Sequence, residues 1–283
     1  MYADADPRPL LGAEWWNLSV WRETALMLAE FTHDAERVTH WIGRANPELA
    51  LQTWERLNPT VPLPTEVQRV LIASAHERMH DFEPRGRASA YRVLGRYDAD
   101  DRPYIGLRTD GLPDIDWMTI PAGEFQYGHE SESDNPPQRL TLPEFQISRY
   151  PITYAQFQAF VDAPDGLNWD EWWADMPEQE KAYGTTYLMR EPGDQAFKYA
   201  NHPRENVSWY QAVAFCRWLS TKLGSAVTLP TEEQWEKAAR GMDGRLYPYG
   251  NEFDAAKGNT FATEIGQTSA VGMFPDGASP YGV

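Results

Sequence analysis

Apolar residues recur at the spacing of an amphipathic helix through the first third of the chain, from about Ala13 to Tyr97. Prolines stand near the starts of several of these runs, where a helix tolerates them. Gly95 follows the last run, at the position expected of a helix cap. The pattern predicts several short helices joined by short connections, and it shows no clean repeat period.

The period changes to two beyond a segment rich in Asp, Pro and Gly. Residues 117–120 and 124–127 have the alternation of short strands joined across Pro121-Ala122-Gly123. Residues 140–142 and 145–147 have the same alternation and form a further pair. The spacing therefore predicts two pairs of strands, each made of neighbours in the chain.

Three helix starts share a local signature, a hydroxyl residue followed three positions later by glutamine. In this capping box the hydroxyl accepts a backbone hydrogen bond from the first turn, and the glutamine accepts one from the capping residue. The pairs are Thr153 with Gln156, Ser208 with Gln211, and Thr231 with Gln234. We expect helices from these points, with Trp209, Trp218 and Trp235 substantially buried beside their apolar faces.

Together these patterns divide the chain into an all-α domain of residues 1–97, a linker of residues 98–115 and an α+β domain of residues 116–283. Short helices in sequence predict either a HEAT-like array or a small helical bundle for the first domain. Short helices, scattered strands and long loops are expected in the second.

Composition and charge narrow the classes of partner. Hydrophobic residues make up 42% of the 283 positions, charged residues 24%, and the formal net charge is −17. Phosphate backbones and anionic membranes are bound by clustered Lys and Arg, so the acidity argues against nucleic acid and against a membrane surface. The sequence has no long apolar window, no secretory pattern and one cysteine, Cys216, which together predict a cytoplasmic protein without an internal disulfide.

One motif indicates a different chemistry. Residues 76–80 read His-Glu-Arg-Met-His in a predicted helix, which would place His76 and His80 on one face. With a third ligand, and Glu77 as the base, this is the pattern of a zinc hydrolase. Pro84 and Gly86 interrupt the helix soon afterwards, so a solvated helix face is the simpler interpretation and the zinc hydrolase is the alternative.

Four ordered stretches of the second half can be compared with known families. They are IPAGEFQYG at 120–128, PITYAQF at 151–157, NVSWYQAVAFCRWL at 206–219, and LPTEEQWEKAARG at 229–241 followed by YPYG at 247–250. Together they resemble the formylglycine-generating-enzyme, or sulfatase-modifying factor, family. The resemblance extends from about Asp114 to Val283.

The resemblance implies a variant of the C-type lectin fold and three classes of function. Members with copper and two cysteines oxidise a sulfatase cysteine to formylglycine, ergothioneine-type relatives form a C–S bond at a three-histidine iron site, and others only bind ligands. For this chain it implies a bacterial-type domain whose intact form oxidises a protein cysteine. The alternative is a non-catalytic domain that recognises a protein or peptide ligand within a larger multidomain or signalling protein.

The sequence departs from the oxidase pattern at its cysteines. In the oxidases the cysteine pair lies beyond the position that residues 279–283 resemble, so the resemblance implies a C-terminally truncated, inactive domain. Copper is expected only with a cysteine pair, because one thiolate is not a credible copper site. Cys216 lies on an apolar helix face and is expected to be a core residue. Truncation also predicts an open, association-prone groove bordered by Phe274 and Tyr281.

A structural calcium site is implied as well. The family holds Ca²⁺ with an asparagine side chain, the next carbonyl and a later carboxylate, and Asn259, Thr260 and Glu264 match these positions. Ca²⁺ takes about six to eight oxygen ligands and this loop offers few. A turn-stabilising Asn259 and a solvated Glu264 are therefore the alternative.

Overall fold

The chain divides into two units in a computed structural model, which describes residues 5–12, 14–129, 136–176 and 190–283. The first unit contains Met1–Asp101, Tyr199–Asn201 and Asn259–Met273, and the second contains Arg102–Lys198, His202–Gly258 and Phe274–Val283. Residue 13, where the helical pattern begins, lies outside the described residues. Helices and strands are both present, and the N-terminal region is helical as predicted.

The helices of the first unit begin where the sequence supplies helix starts. They are α1 (Arg8–Leu11), α2 (Leu18–Thr32), α3 (Ala35–Gly43), α4 (Pro47–Leu57), α5 (Thr65–Arg78) and α6 (Pro84–Arg96). Asp34 caps α3 by accepting a hydrogen bond from the backbone N–H of Arg37. Asn46 caps α4 in the same way through Leu49, and prolines open α4 and α6.

The core of the first unit is formed by apolar side chains of α4, α5 and α6. The most deeply buried of them are Leu49, Ala50, Val67, Leu71, Ala75, Ala88, Ala90, Val93 and Leu94. A buried ion pair joins α4 to α6, because Arg92 Nε and Nη2 each lie 2.6 Å from a carboxylate oxygen of Glu48. Both charges are paired and doubly hydrogen-bonded, which is the condition under which a buried charge is tolerated.

Gly95 does not cap α6, so this prediction was wrong. The helix continues to Arg96 and is followed by Tyr97. Gly95 lies inside the last turn, against the segment at residues 199–201, where an added Cβ would collide with the Asn201 side chain. Asn201 Nδ2 donates to the Tyr91 carbonyl at 3.0 Å, and Ala200 N donates to the Gly95 carbonyl at 2.9 Å. A close approach of backbone to helix, and not a cap, therefore requires glycine here.

The strands of the second unit are nested, which corrects the predicted pairing of chain neighbours. They are β1 (Trp117–Ile120), β2 (Gly123–Tyr127), β3 (Gln138–Leu142) and β4 (Phe145–Ser148). Antiparallel β1 pairs with β4, and β2 pairs with β3. The chain leaves β1 through Pro121, which has no N–H, and enters β2 at Gly123 with φ of 140°. Lys237 Nζ donates hydrogen bonds to the carbonyls of Pro121 and Gly123, at 2.7 and 3.1 Å. This corner therefore does not close a hairpin between β1 and β2.

The three predicted capping boxes are confirmed. They start α7 (Tyr154–Asp162), α8 (Trp209–Leu223) and α9 (Glu232–Arg240). In α7 and α8 the glutamine also donates to a neighbouring loop. Gln156 Nε2 donates to the Asp114 carbonyl at 2.5 Å, and Gln211 Nε2 donates to the Glu191 carbonyl at 2.7 Å. The boxes therefore anchor loops as well as helix ends.

Aromatic side chains of α7 and α8 form the core of the second unit with residues near the short 3-10 turn Asp170–Trp173. Trp218 is buried as predicted, but Trp209 and Trp235 are 53% and 62% exposed, so the prediction was wrong for these two. Trp209 is the first residue of α8, and the buried face of that helix begins at Gln211. Trp235 lies about 200° around α9 from the buried Lys237.

Among the described helices, none has both the length and the apolar content needed to cross a membrane.

Candidate functional site

An open groove of about 780 Å³ in the second unit is the candidate site. One wall is β4 with Trp117 of β1, and the segment 225–230 that follows α8 also lines the groove. Apolar side chains of α7 and α8 form the floor. The apolar lining includes Phe145, Ile147, Phe157, Phe215, Val227 and Leu229. Polar side chains, among them Glu144, Gln146 and Thr228, line it as well. A concave surface that combines apolar and polar groups is the usual form of a ligand site.

Cys216 lies on the α8 side of this groove and belongs to the core cluster. Its side chain is 8% exposed, so the predicted core position is confirmed. Burial raises the pKa of the thiol from 9.0 to about 11. Since the thiolate is the nucleophile and the metal ligand, a thiol with this pKa is inert near neutral pH.

Arg204 supplies a cationic group at the groove wall. Its guanidinium donates from Nη1 to Gln195 Oε1 at 2.7 Å and from Nη2 to the Gly193 carbonyl at 2.5 Å. The group lies 5.5 Å from the ring centroid of Phe157, and burial lowers its pKa. Its Nε is buried and has no hydrogen-bond partner among the described residues. The arginine is therefore held in place with one donor still unused.

The strand β4 lines the groove along its whole length. One edge of β4 pairs with β1, from Phe145 opposite Ile120 to Ser148 opposite Trp117. In the described parts of the chain no strand pairs with its other edge. An unpaired edge presents backbone N–H and C=O groups that can pair with another extended segment. Phe274 and Tyr281, which were predicted to border a groove, do not line this one.

The histidine motif was predicted to lie in one helix, and this prediction was wrong. The helix α5 ends at Arg78, so His76 lies in its last turn and the exposed His80 lies beyond it. Glu77 is exposed and its carboxylate lies 3.6 Å from the Arg78 guanidinium. Nowhere in the described residues do three or more His, Cys, Asp or Glu side chains group as a metal site would require. The geometry gives the zinc hydrolase no support.

The three calcium candidates lie in the first unit, in the segment Asn259–Met273. Asn259 Nδ2 donates to the Gln267 carbonyl at 2.8 Å and to Ser269 Oγ at 3.2 Å. The Thr260 carbonyl accepts a hydrogen bond from Thr263 Oγ1 at 2.7 Å. The Glu264 carboxylate accepts one from Arg85 Nη1 at 3.1 Å. This donor set does not fit calcium in its present arrangement, because a guanidinium engages its one carboxylate.

Sequence reasoning missed two polar features of the groove, Arg204 and the free edge of β4. Arg204 lies in a loop, where no periodicity marks a residue as part of a site. The free edge of β4 follows from the nested pairing, which depends on contacts distant in sequence. The resemblance to a loop-rich family was the one available signal that loops carry the site.

Comparison with known proteins finds one matching family and several named relatives. The profile of the family described as "Sulfatase-modifying factor enzyme 1-like domain" matches residues 109–283. The chain is 27% identical over 191 residues to an "Inactive C-alpha-formylglycine-generating enzyme 2" of Bos taurus, covering 58% of each protein. It is 31% identical over 170 residues to a "Formylglycine-generating enzyme" of Thermomonospora curvata, covering 48% of this chain and 52% of that protein.

A third relative carries a different activity in its name. The chain is 26% identical over 192 residues to a "Hercynine oxygenase" of Mycolicibacterium smegmatis, covering 58% of this chain and 42% of that protein. The match thus spans about half the length of these relatives. Proteins named for two chemistries, and one named as inactive, share the matched region.

Proposed function

We propose a function for this chain from one premise: the chain belongs to the sulfatase-modifying factor enzyme 1-like family. Within that family, its proposed role is to recognise an extended polypeptide segment in the groove of the second unit. The observation that carries this proposal is the edge of β4 that pairs with no described strand, in a strand that lines a groove of about 780 Å³.

An extended segment fits this groove because each part of the segment meets a matching group. Its backbone pairs with the N–H and C=O groups of the β4 edge, which provides affinity with little dependence on sequence. Its alternate side chains enter the apolar floor near Phe215 and Leu219. The guanidinium of Arg204 adds a positive charge beside the groove, which favours a carbonyl or carboxylate of the segment. A protein or peptide partner is therefore the proposed ligand class.

The 283 residues are proposed not to oxidise a cysteine by themselves. The sequence contains one cysteine, and its pKa of about 11 leaves it protonated at neutral pH. Copper(I) requires soft sulfur ligands, and a single buried thiol supplies none at pH 7. Formylglycine generation by a protein that carries this chain is the second candidate, supported by the relatives named formylglycine-generating enzyme.

Fluorescence anisotropy with a labelled sulfatase-type cysteine peptide tests the recognition proposal. Leu229→Asp places a charge in the groove lining and is expected to weaken peptide binding by about tenfold or more. Leu246→Asp is the matched control, because Leu246 is 51% exposed in the same unit and does not line the groove. Equal binding by both variants would contradict the groove as the site.

The same peptide separates the two candidates when formylglycine is measured by mass spectrometry with added copper. The recognition proposal expects binding without conversion. Conversion that is abolished by Cys216→Ser would overturn the ligand count and favour the oxidase.

The C-type-lectin-like arrangement of the second unit is a further proposal, supported by the family membership. The HEAT-like or bundle arrangement of the first unit is another, supported by its helical content.

Calcium binding at Asn259, Thr260 and Glu264 stays a prediction with one structural condition. The Glu264 carboxylate has to leave Arg85 before it can bind an ion. Replacing Arg85 by alanine removes this competitor and the nearby positive charge. If the site exists, a calcium-dependent rise in melting temperature is larger in Arg85→Ala than in the unaltered chain, and Asn259→Ala abolishes it in both.

A further inference from the structure

A small cleft lies between α2 and α4 in the first unit. Its volume is about 180 Å³, and it is lined by Arg22 and Leu26 of α2 and by Gln52, Thr53 and Arg56 of α4. Two arginines therefore share one cleft in a chain whose net charge is −17. Two guanidinium groups at one small site repel each other unless an anion lies between them.

Arg22 is oriented by a chain of hydrogen bonds that ends in the core. Its Nη2 donates to Gln52 Oε1 at 3.1 Å, and Gln52 Nε2 donates to Glu48 Oε1 at 3.2 Å. Glu48 is in turn held by the bidentate contact with Arg92, and both residues are more than nine-tenths buried. Gln52 is thus fixed with its oxygen towards Arg22. The arginine is preorganised by a neutral group, and its positive charge is not cancelled.

The charges of the two cleft arginines are weakly compensated. Among the described residues no carboxylate forms an ion pair with Arg22, and its guanidinium donates a hydrogen bond to the neutral side chain of Gln52. Arg56 has one acidic neighbour, Glu23, at 3.8 Å, and both side chains are largely exposed. An exposed pair at this distance contributes little. Most of the guanidinium donors in the cleft are therefore available to a ligand.

We propose that this cleft binds a single oxyanion group, a phosphate or a carboxylate. The planar forks of two guanidinium groups match the oxygen atoms of these groups and bind them with charge-assisted hydrogen bonds. One water molecule takes about 30 Å³ of liquid volume, so 180 Å³ accommodates a group of a few heavy atoms with ordered water. The proposal is independent of the peptide groove and of the family's chemistry.

Isothermal titration of the full chain with inorganic phosphate, and separately with acetate, tests the proposal at a constant ionic strength of about 0.15 M. Arg22→Gln and Arg56→Gln keep a polar side chain but remove the charge, and each is expected to weaken anion binding about tenfold or more. Arg22→Lys keeps the charge without the fork and is expected to bind more weakly than the unaltered chain. Arg69→Gln is the matched control, since Arg69 is an exposed arginine of α5 paired with Glu66 at 2.5 Å.

The two titrations distinguish the source of the oxyanion. Binding of phosphate alone identifies a phosphate site, binding of acetate alone identifies a carboxylate site, and binding of both supports the shared chemistry. The proposal is overturned if neither anion binds, if both arginine variants bind as well as the unaltered chain, or if Arg69→Gln loses as much affinity. Circular dichroism establishes that each variant is folded, and Arg22→Lys preserves the charge balance if a neutral variant does not fold.

Discussion

Cys216 lies on the apolar face of α8 and beside an open groove. The reactivity of its thiol therefore reports how tightly α8 is packed. Burial raises its pKa to about 11, and about one thiol in a thousand is ionised at pH 8. We expect iodoacetamide to modify the native thiol far more slowly than a free cysteine at pH 8, with the rate rising steeply towards pH 11. Modification at pH 8 as fast as that of the denatured chain would contradict the buried placement.

The same shift gives a sign for the dependence of stability on pH. The folded pKa lies above the unfolded value of about 9, so the folded state favours the protonated thiol. This contribution to stability is fully present below pH 9 and is lost as the pH rises towards 11. Cys216→Ala removes the ionisable group and should flatten this part of the stability profile.

Lys237 is the most deeply buried lysine among the described residues and holds the corner between β1 and β2. Its side chain is fully buried, with Nζ on two carbonyls and 5.7 Å from the Phe125 ring centroid. Lys237→Met leaves the Pro121 and Gly123 carbonyls without a donor, which should cost about 1–3 kcal/mol of unfolding free energy. Lys222→Met is the control, because Lys222 forms a half-exposed pair with Asp165 and should cost less than about 1 kcal/mol.

Urea denaturation measures both lysine variants. A loss of unfolding free energy no larger for Lys237→Met than for Lys222→Met would show that water replaces the buried ammonium at the corner.

Periodicity did not mark Lys237 as a buried residue, because a single lysine on a polar helix is normally solvated. Cys216 was predictable at this scale, since its apolar neighbours on α8 recur at helical spacing.

At the scale of elements, glutamine in a capping box has a second role that glutamate cannot fill. Gln156 is 2% exposed, and its Oε1 accepts from Thr153 N while its Nε2 donates to the carbonyls of Asp114 and Tyr104. Gln156→Glu turns a donor into a carboxylate oxygen that faces two carbonyl oxygens. We expect a loss of about 2–3 kcal/mol in unfolding free energy.

Gln234→Glu provides the matched comparison at the start of α9. Gln234 forms the same box with Thr231, but at an exposed helix start. A negative charge near a helix N-terminus is favourable by about 0.3–1 kcal/mol, so this variant should be neutral or slightly stabilised. Equal losses in the two variants, measured by urea denaturation, would show that the loop contacts of Gln156 contribute nothing.

The contrast between helix starts and strand pairing shows which features neighbouring residues can predict and which they cannot. Each capping box is closed within four residues, so the sequence alone predicted the starts of α7, α8 and α9. The strand positions were also readable from alternation. Their partners were not, because β1 meets β4 across more than twenty residues and the corner at Gly123 depends on Lys237. Gly95 was misread for the same reason, since Asn201 lies far from it in sequence.

For the whole molecule, the family match and the compact units have different boundaries. The match covers residues 109–283, whereas Tyr199–Asn201 and Asn259–Met273 group with the N-terminal helices. Contacts such as Arg87 Nε to the Met273 carbonyl at 3.1 Å tie the second of these stretches to α6. Composition and periodicity describe consecutive residues, so they could not show that two stretches of the matched region belong to the first unit. The division at residues 1–97, 98–115 and 116–283 stays a prediction about domains.

Net charge and the open groove together predict how the chain associates. At pH 7 a net charge of −17 keeps copies apart, and this repulsion disappears near the isoelectric point of about 4.7. Copies can then associate through the free edge of β4 and the apolar side chains of the groove. Light scattering should therefore increase as the pH falls from 7 towards 5. A charged residue on an edge strand opposes such pairing. Ile147→Lys, on the groove wall, should therefore reduce the scattering.

The control for this last variant has to add the same charge elsewhere. Val61 is 52% exposed in the first unit, and Val61→Lys changes the net charge by the same amount as Ile147→Lys. If association depends on β4, Val61→Lys scatters like the unaltered chain at each pH once the profile is aligned to its isoelectric point. If charge alone governs association, the two variants behave alike, and the groove wall plays no part in bringing copies together.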